Sequence, residues 1–100
     1  MYLNQQQLAQ INHFFQDKPV KKVYLFGSYA DGDATEESDI DLLIEPTEDF
    51  LFLKFDMQMD GLKKLMKKKI DVVPIGALRP DRYFTQFVNK QKKIIYERAN

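Results

Sequence analysis

Cysteine is absent from the 100-residue sequence, which excludes a disulfide framework and thiol chemistry and suits a reducing compartment. A surplus of either charge is absent too, because fifteen basic side chains are matched by fifteen acidic ones. A dedicated polyanion binder normally carries an overall basic surplus, so this balance argues against one. No apolar run approaches the length needed to span a bilayer, and the N-terminus lacks a basic-then-apolar leader pattern. Repeats, linkers and low-complexity segments are missing as well. Together these absences lead us to expect a cytoplasmic protein. One hundred residues suffice for one domain, residues 1–100, but not for a catalytic domain plus a separate substrate domain. With 44% apolar and aromatic residues and 30% charged ones, the composition is that of a soluble globular chain.

What is present concentrates between Val23 and Ile44, VYLFGSYADGDATEESDIDLLI. Val23, Tyr24, Leu25 and Phe26 form a β-branched and aromatic run that Gly27 stops, the pattern of a buried strand. Gly27 reaches backbone angles closed to other residues, and its missing Cβ lets another group come close to its backbone. Ser28 opens one short helical turn, Ser28–Asp31, which Gly32 ends. Exposed N–H groups at the start of such a turn attract anions, and the Ser28 hydroxyl adds a donor. In Ser38-Asp39-Ile40-Asp41-Leu42-Leu43-Ile44 the side chains of a strand alternate between faces. Asp39 and Asp41 therefore project together, while Ile40 and Leu42 point toward a core. Two carboxylates held side by side repel one another and need a cation. Hard oxygen ligands at that spacing suit Mg²⁺, commonly held by one or two carboxylates plus substrate phosphates.

Around this stretch the pattern predicts alternating helices and strands. Asn4 caps a first helix, Asn4 to Gln16, with Gln7 completing a capping box and Leu8, Ile11 and Phe15 as its apolar stripe. His13, the one histidine, reads as a solvent-facing or partly packed side chain. Asp17-Lys18-Pro19 breaks the helix before the first strand. Glu45-Pro46-Thr47 ends the second strand, and a long helix follows, roughly Glu48–Lys67, with Phe52, Phe55, Met59, Leu62 and Met66 toward the sheet. Phe50, Leu51, Leu53 and Met57 add apolar surface beyond that stripe, either as a thick core or as a partner surface. Lys63, Lys64, Lys67, Lys68 and Lys69 gather where the helix ends, as its C-terminal dipole and solvation favour, with contact to triphosphate or an acidic partner as the second reading. Ile70-Asp71-Val72-Val73-Pro74 predicts a third strand, apolar except for Asp71. Such an acid marks either a functional site or an edge strand facing water, and the upstream aspartate pair favours the site. Gly76 to Arg79 reads as a loop, and Pro80 suits the first turn of a helix ending near Asn89, with Tyr83, Phe84, Phe87 and Val88 as its apolar face. Lys92 to Tyr96 closes the chain as a short strand or extended tail. This order implies an α/β fold of two layers, a small mixed sheet of three to four strands with helices packed against it.

Gly27-Ser28, Gly32 and Ser38-Asp39-Ile40-Asp41-Leu42 resemble the G-S-x-x-x-G-x-x-x-x-x-S-D-x-D-L signature of the nucleotidyltransferase superfamily that includes DNA polymerase beta. The whole chain is similar to the stand-alone minimal nucleotidyltransferases of bacteria and archaea. The resemblance implies that Gly27 and Ser28, with Gly32 and Ser38, form the nucleotide site, and that Asp39 and Asp41 hold Mg²⁺. It assigns Asp71 to the third carboxylate, which completes a two-ion site and acts as, or orients, the general base. It further implies transfer of a nucleoside monophosphate, AMP from ATP, to a hydroxyl of a protein acceptor. Stand-alone members often pair with a small all-helical HEPN protein, the two acting as antitoxin and toxin.

One position departs from the signature: members usually carry a basic residue, most often Arg, where this chain has Asp31. Arg79 or Arg82 is the candidate to supply that charge. Asp31 also supports a second reading, a binding module that neutralises its partner by occlusion, against which three converging acids speak. Transfer to a small molecule and nucleic-acid polymerisation both need acceptor-holding structure for which 100 residues leave no room.

Overall fold

The computed structural model describes residues 1–78 and 82–99. The first helix, α1, spans Gln5–Phe15, and Asn4 caps it as expected: Asn4 Oδ1 accepts the Gln7 N–H at 2.8 Å while Gln7 Oε1 accepts the Asn4 N–H at 2.9 Å. Strand β1 follows at Val20–Phe26, then a single helical turn, α2, at Ser28–Asp31, and strand β2 at Ile40–Pro46. Helix α3 spans Phe52–Met66, strand β3 Ile70–Pro74, helix α4 Tyr83–Gln91 and strand β4 Lys93–Glu97. A 3-10 turn at Ile75–Ala77 occupies the expected loop after β3. Among the described residues no helix is long and apolar enough to cross a membrane.

The four strands form one mixed sheet in the order β3-β2-β1-β4. β1 is antiparallel to both β2 and β4, whereas β2 and β3 run parallel. Parallel neighbours need a crossover connection, and α3 is that crossover. The main core lies on one face, where Val23, Leu25, Ile40, Leu42 and Ile44 meet Ile11 and Phe15 of α1 and Phe55, Met59 and Leu62 of α3. Phe15 stacks on Phe55 with centroids 6.1 Å apart, which ties α1 to α3. On the opposite face Phe26 and Leu43 cluster with Val88 of α4. The period-2 alternation of the strands thus divides one apolar sequence between two clusters.

Two expectations need correction. Helix α3 starts at Phe52, not near Glu48, because the Thr47 N–H pairs with the Pro19 carbonyl at 2.9 Å and the Phe50 N–H closes a turn on Thr47 O at 3.2 Å. Those bonds hold residues 47–50 beside the start of β1 and keep them out of the helix. Of the apolar face expected for α4, Val88 is buried, whereas Tyr83 and Phe87 face solvent, and the buried Thr85 takes a place on the inner side instead. The Phe84 side chain, Arg79 and Pro80 lie outside the described residues.

Candidate active site

The site grows from the place where β1 runs out. Phe26, its last residue, stands opposite Asp41 across the antiparallel ladder. Asp41 in turn stands beside Asp71 in the parallel β2–β3 register. The Ile40 N–H bonds the Lys69 carbonyl at 3.0 Å, which locks the beginnings of β2 and β3 together. Two acids thirty positions apart in sequence are therefore brought to one level of the sheet. Asp39 precedes β2 by one residue, and by strand alternation Asp39, Asp41 and Leu43 share a face.

Gly27 forms the floor beside them. Its backbone angles, φ 75° and ψ −158°, belong to a region that only glycine occupies comfortably. A side chain at this position would overlap Asp41 Oδ2 and lie 3.1 Å from its Cγ. The turn glycine thus sits directly against the carboxylate, with Ser28 opening α2 immediately after it. The Gly27 carbonyl accepts the N–H groups of Ala30 and Asp31 at 3.0 and 3.3 Å. The side chain of Gln91, the last residue of α4, meets Gly27 twice. Its Oε1 accepts the Gly27 N–H at 2.8 Å and its Nε2 donates to the Gly27 carbonyl at 3.0 Å.

Asp41 is half-buried, and burial pushes its carboxyl above the usual carboxylate range, with the negative charges of Asp71 and Asp39 adding to the rise. Burial and two like charges thus both disfavour the ionised form of this carboxyl. Lys69 Nζ stands 3.8 Å from Asp39 Oδ2, a largely exposed pair. Lys68 Nζ donates to Glu36 O at 2.8 Å and Ser38 O at 3.4 Å, bracing the connection that leads into Asp39. The sequence reading places these two lysines in a helix-end cluster without their individual contacts, and it misses Gln91. Helix-end solvation accounts for a lysine run without further signal, and Gln91 gains meaning only once its strand register is known.

The remaining candidates shape the connection between α2 and β2. Gly32, at φ 86°, ends α2 with its N–H on the Ser28 carbonyl, and a side chain there would collide with the Tyr2 ring. Ser38 Oγ accepts the Thr35 N–H at 2.8 Å. Asp31 is exposed at the end of α2, and Arg82, also exposed, precedes α4. Asp71 is exposed on the edge strand β3 and lies level with Asp41. Hard carboxylate oxygens fit Mg²⁺ when substrate phosphates complete its shell. Among the described residues no three acids stand close enough to form a metal cage, so the three carboxylates expected to converge are aligned on neighbouring strands without closing on one point.

Residues 9–100 match the family described as Polymerase beta, Nucleotidyltransferase. Protein adenylyltransferase MntA of Thermococcus cleftensis is 35% identical over 60 residues, covering 60% of this chain and 61% of that protein. A relative from Methanocaldococcus jannaschii reaches 45% identity over 60 residues, again 61% of the relative's length. The matched chain therefore spans about three fifths of these relatives. Among solved structures, a toxin–antitoxin complex with AMP-PNP superposes with a TM-score of 0.74 at 21% identity, covering 90% of this chain and 73% of that one. The complex of a tri-AMPylated Shewanella oneidensis HEPN toxin with MNT antitoxin gives 0.71 at 20% identity, covering 95% and 73%. At such identities the structural likeness establishes the fold. The mixed four-stranded sheet and the match over nearly the whole sequence agree, and the chain belongs to the polymerase beta nucleotidyltransferase family.

Proposed function

We propose that this chain moves AMP from ATP onto a hydroxyl group of a partner protein. The observation that carries the reading is the seating of Gly27 against the Asp41 carboxylate, with Asp71 in register beside it. A turn able to face phosphates and a set of mutually repelling acids then share one corner of the sheet. Gly27 and Ser28 form the turn that meets the β- and γ-phosphates, with the Ser28 hydroxyl as donor, while Gly32 and Ser38 keep the shape of the connection behind them. Asp39 and Asp41 are the ligands for Mg²⁺, and Asp71 completes the set. When bound, Mg²⁺ offsets the charge of the triphosphate. Asp71 accepts or steers the proton of the attacking hydroxyl. The acceptor oxygen forms a bond to the α-phosphorus, the bond from that phosphorus to the α–β bridging oxygen breaks, and pyrophosphate leaves with the electron pair. Positioning and charge compensation are the main demands of such a transfer.

A protein acceptor suits a chain with so little wall around the acids. MntA carries the name protein adenylyltransferase, and one structural neighbour contains an AMPylated HEPN toxin. A small helical HEPN protein in the cytoplasm, held by this chain as its antitoxin, is the partner proposed here. Leu51, Phe52, Leu53 and Met57, exposed along the first turns of α3, offer apolar surface to such a partner.

The test is incubation of the chain with labelled ATP, Mg²⁺ and the protein encoded beside it, read by intact mass and label transfer. We expect AMP-sized mass increments on the partner, lost with Asp39→Asn and with Asp71→Asn while circular dichroism stays unchanged. Full transfer by either variant refutes the assignment. The exposed Asp31, in the place usually held by a basic residue, favours the occlusion reading instead; tight complex formation without label would establish it.

A further inference from the structure

We propose that Gln91 is a positioning residue of the nucleotide site, holding Gly27 in the one conformation that lets the Gly27–Ser28 turn meet phosphate. This inference rests on the transferase reading above and adds to it a residue outside the signature. The argument begins with register. β1 and β4 pair as far as Leu25 and Lys93. Two residues further along that same antiparallel register, Gly27 stands opposite Gln91. A main-chain pair would belong there, but the Gln91 backbone is already committed as the last residue of α4, and the Lys92 N–H closes that helix on the Val88 carbonyl at 2.8 Å. The Gln91 carboxamide takes over the task. It offers one acceptor and one donor at about the spacing of a peptide group, and both are used, at 2.8 Å to the Gly27 N–H and 3.0 Å to the Gly27 carbonyl.

This clamp acts on the residue least able to hold itself. Gly27 has the widest backbone freedom of any residue type, and its φ of 75° lies where nothing but an external constraint selects one state. The clamp also decides which donors remain for a ligand. The Gly27 N–H is consumed by Gln91, whereas the Ser28 hydroxyl has no partner among the described residues. Because the Gly27 backbone rests on the Asp41 carboxylate, the same two hydrogen bonds set the distance between the phosphate-facing turn and a proposed metal ligand. Asp71, the proton acceptor, is not touched by Gln91. Loss of the clamp therefore weakens nucleotide capture and leaves the chemical step nearly intact.

The experiment is steady-state AMP transfer by the full chain with its partner, comparing wild type with Gln91→Met, which keeps side-chain length and removes both hydrogen bonds. Two ordinary hydrogen bonds are lost, so we expect KM for ATP to rise about tenfold with kcat within about threefold. A purely structural role gives the opposite split, with kcat falling as folded protein is lost and KM unchanged. Gln91→Glu keeps the acceptor, loses the donor and serves if the Met variant does not fold; its KM must also rise. Unchanged KM in a folded variant, with the wild type active, overturns the positioning role alone. A wild-type chain that transfers nothing overturns the transferase reading and this inference with it.

Discussion

Replacing Gly27 with alanine puts the local geometry under the most direct strain. At φ 75° and ψ −158° a residue with a Cβ occupies a region that is nearly glycine-only, with a cost of about 1–3 kcal/mol. The added methyl would also overlap Asp41 Oδ2, and the half-buried carboxylate must leave its preferred rotamer, at a further cost of about 1 kcal/mol. The total is about 3 kcal/mol, which in a chain of this length lowers the melting temperature by roughly 15 °C. Thermal unfolding followed by far-ultraviolet circular dichroism measures the loss. A double-mutant cycle then separates its two parts. Asp41→Ala removes the overlapping carboxylate but not the backbone strain, so Gly27→Ala should be about 1 kcal/mol less damaging in that background. A fall of less than about 4 °C for Gly27→Ala, on the same scaling, would refute the strain argument. Strict additivity with Asp41→Ala would refute the contact.

The Asp41 carboxyl is held above its usual range by burial and by the Asp71 and Asp39 charges, so its ionisation opposes folding. The stability of the neutral form is fully present below the unfolded carboxyl pKa and is lost as pH rises through the folded one. Asp41→Asn should therefore raise the melting temperature at pH 7 in the absence of metal, with the gain vanishing near pH 3; a variant less stable at pH 7 contradicts this. Solvent screening at a half-buried site limits the gain to about 0.5 kcal/mol, or about 3 °C. Lys67, which ends α3 at φ 55°, is the one non-glycine residue with positive φ among the described residues. Lys67→Gly should stabilise the chain by about 1 kcal/mol in urea titration, and a lowered midpoint would refute the strain assigned to that cap.

Local signals carried most of the fold because local physics decided it. Asn4 and Gln7 announce a capping box and form one. Gly27 and Gly32 bracket a turn whose ends match the residues that require positive φ. Where long-range bonds compete, the reading slipped. Nothing in residues 47–50 reveals that the Thr47 N–H is tied to Pro19, so the start of α3 was placed too early. Tyr83 and Phe87 share one helical stripe, yet spacing cannot say which stripe turns inward, and here Thr85 and Val88 are buried instead. The acids followed the same division. Asp39 and Asp41 are legible as a pair from strand alternation, whereas the alignment of Asp71 with Asp41 comes from a parallel register that no short stretch encodes. Gln91 was invisible for that reason too.

The order of the sheet has one more consequence. β3 forms its outer rim beyond β2, and a rim strand offers unpaired main-chain groups that can template growth onto another molecule. Four residues of isoleucine, valine and proline around a single exposed charge would otherwise be a sticky seam. Asp71 interrupts it, as gatekeeper residues do at exposed hydrophobic strands. The carboxylate proposed as proton acceptor is thus also the one charge that breaks up the apolar rim. A neutral substitute at this position would promote self-association as well as silence transfer, and light scattering should separate the two losses.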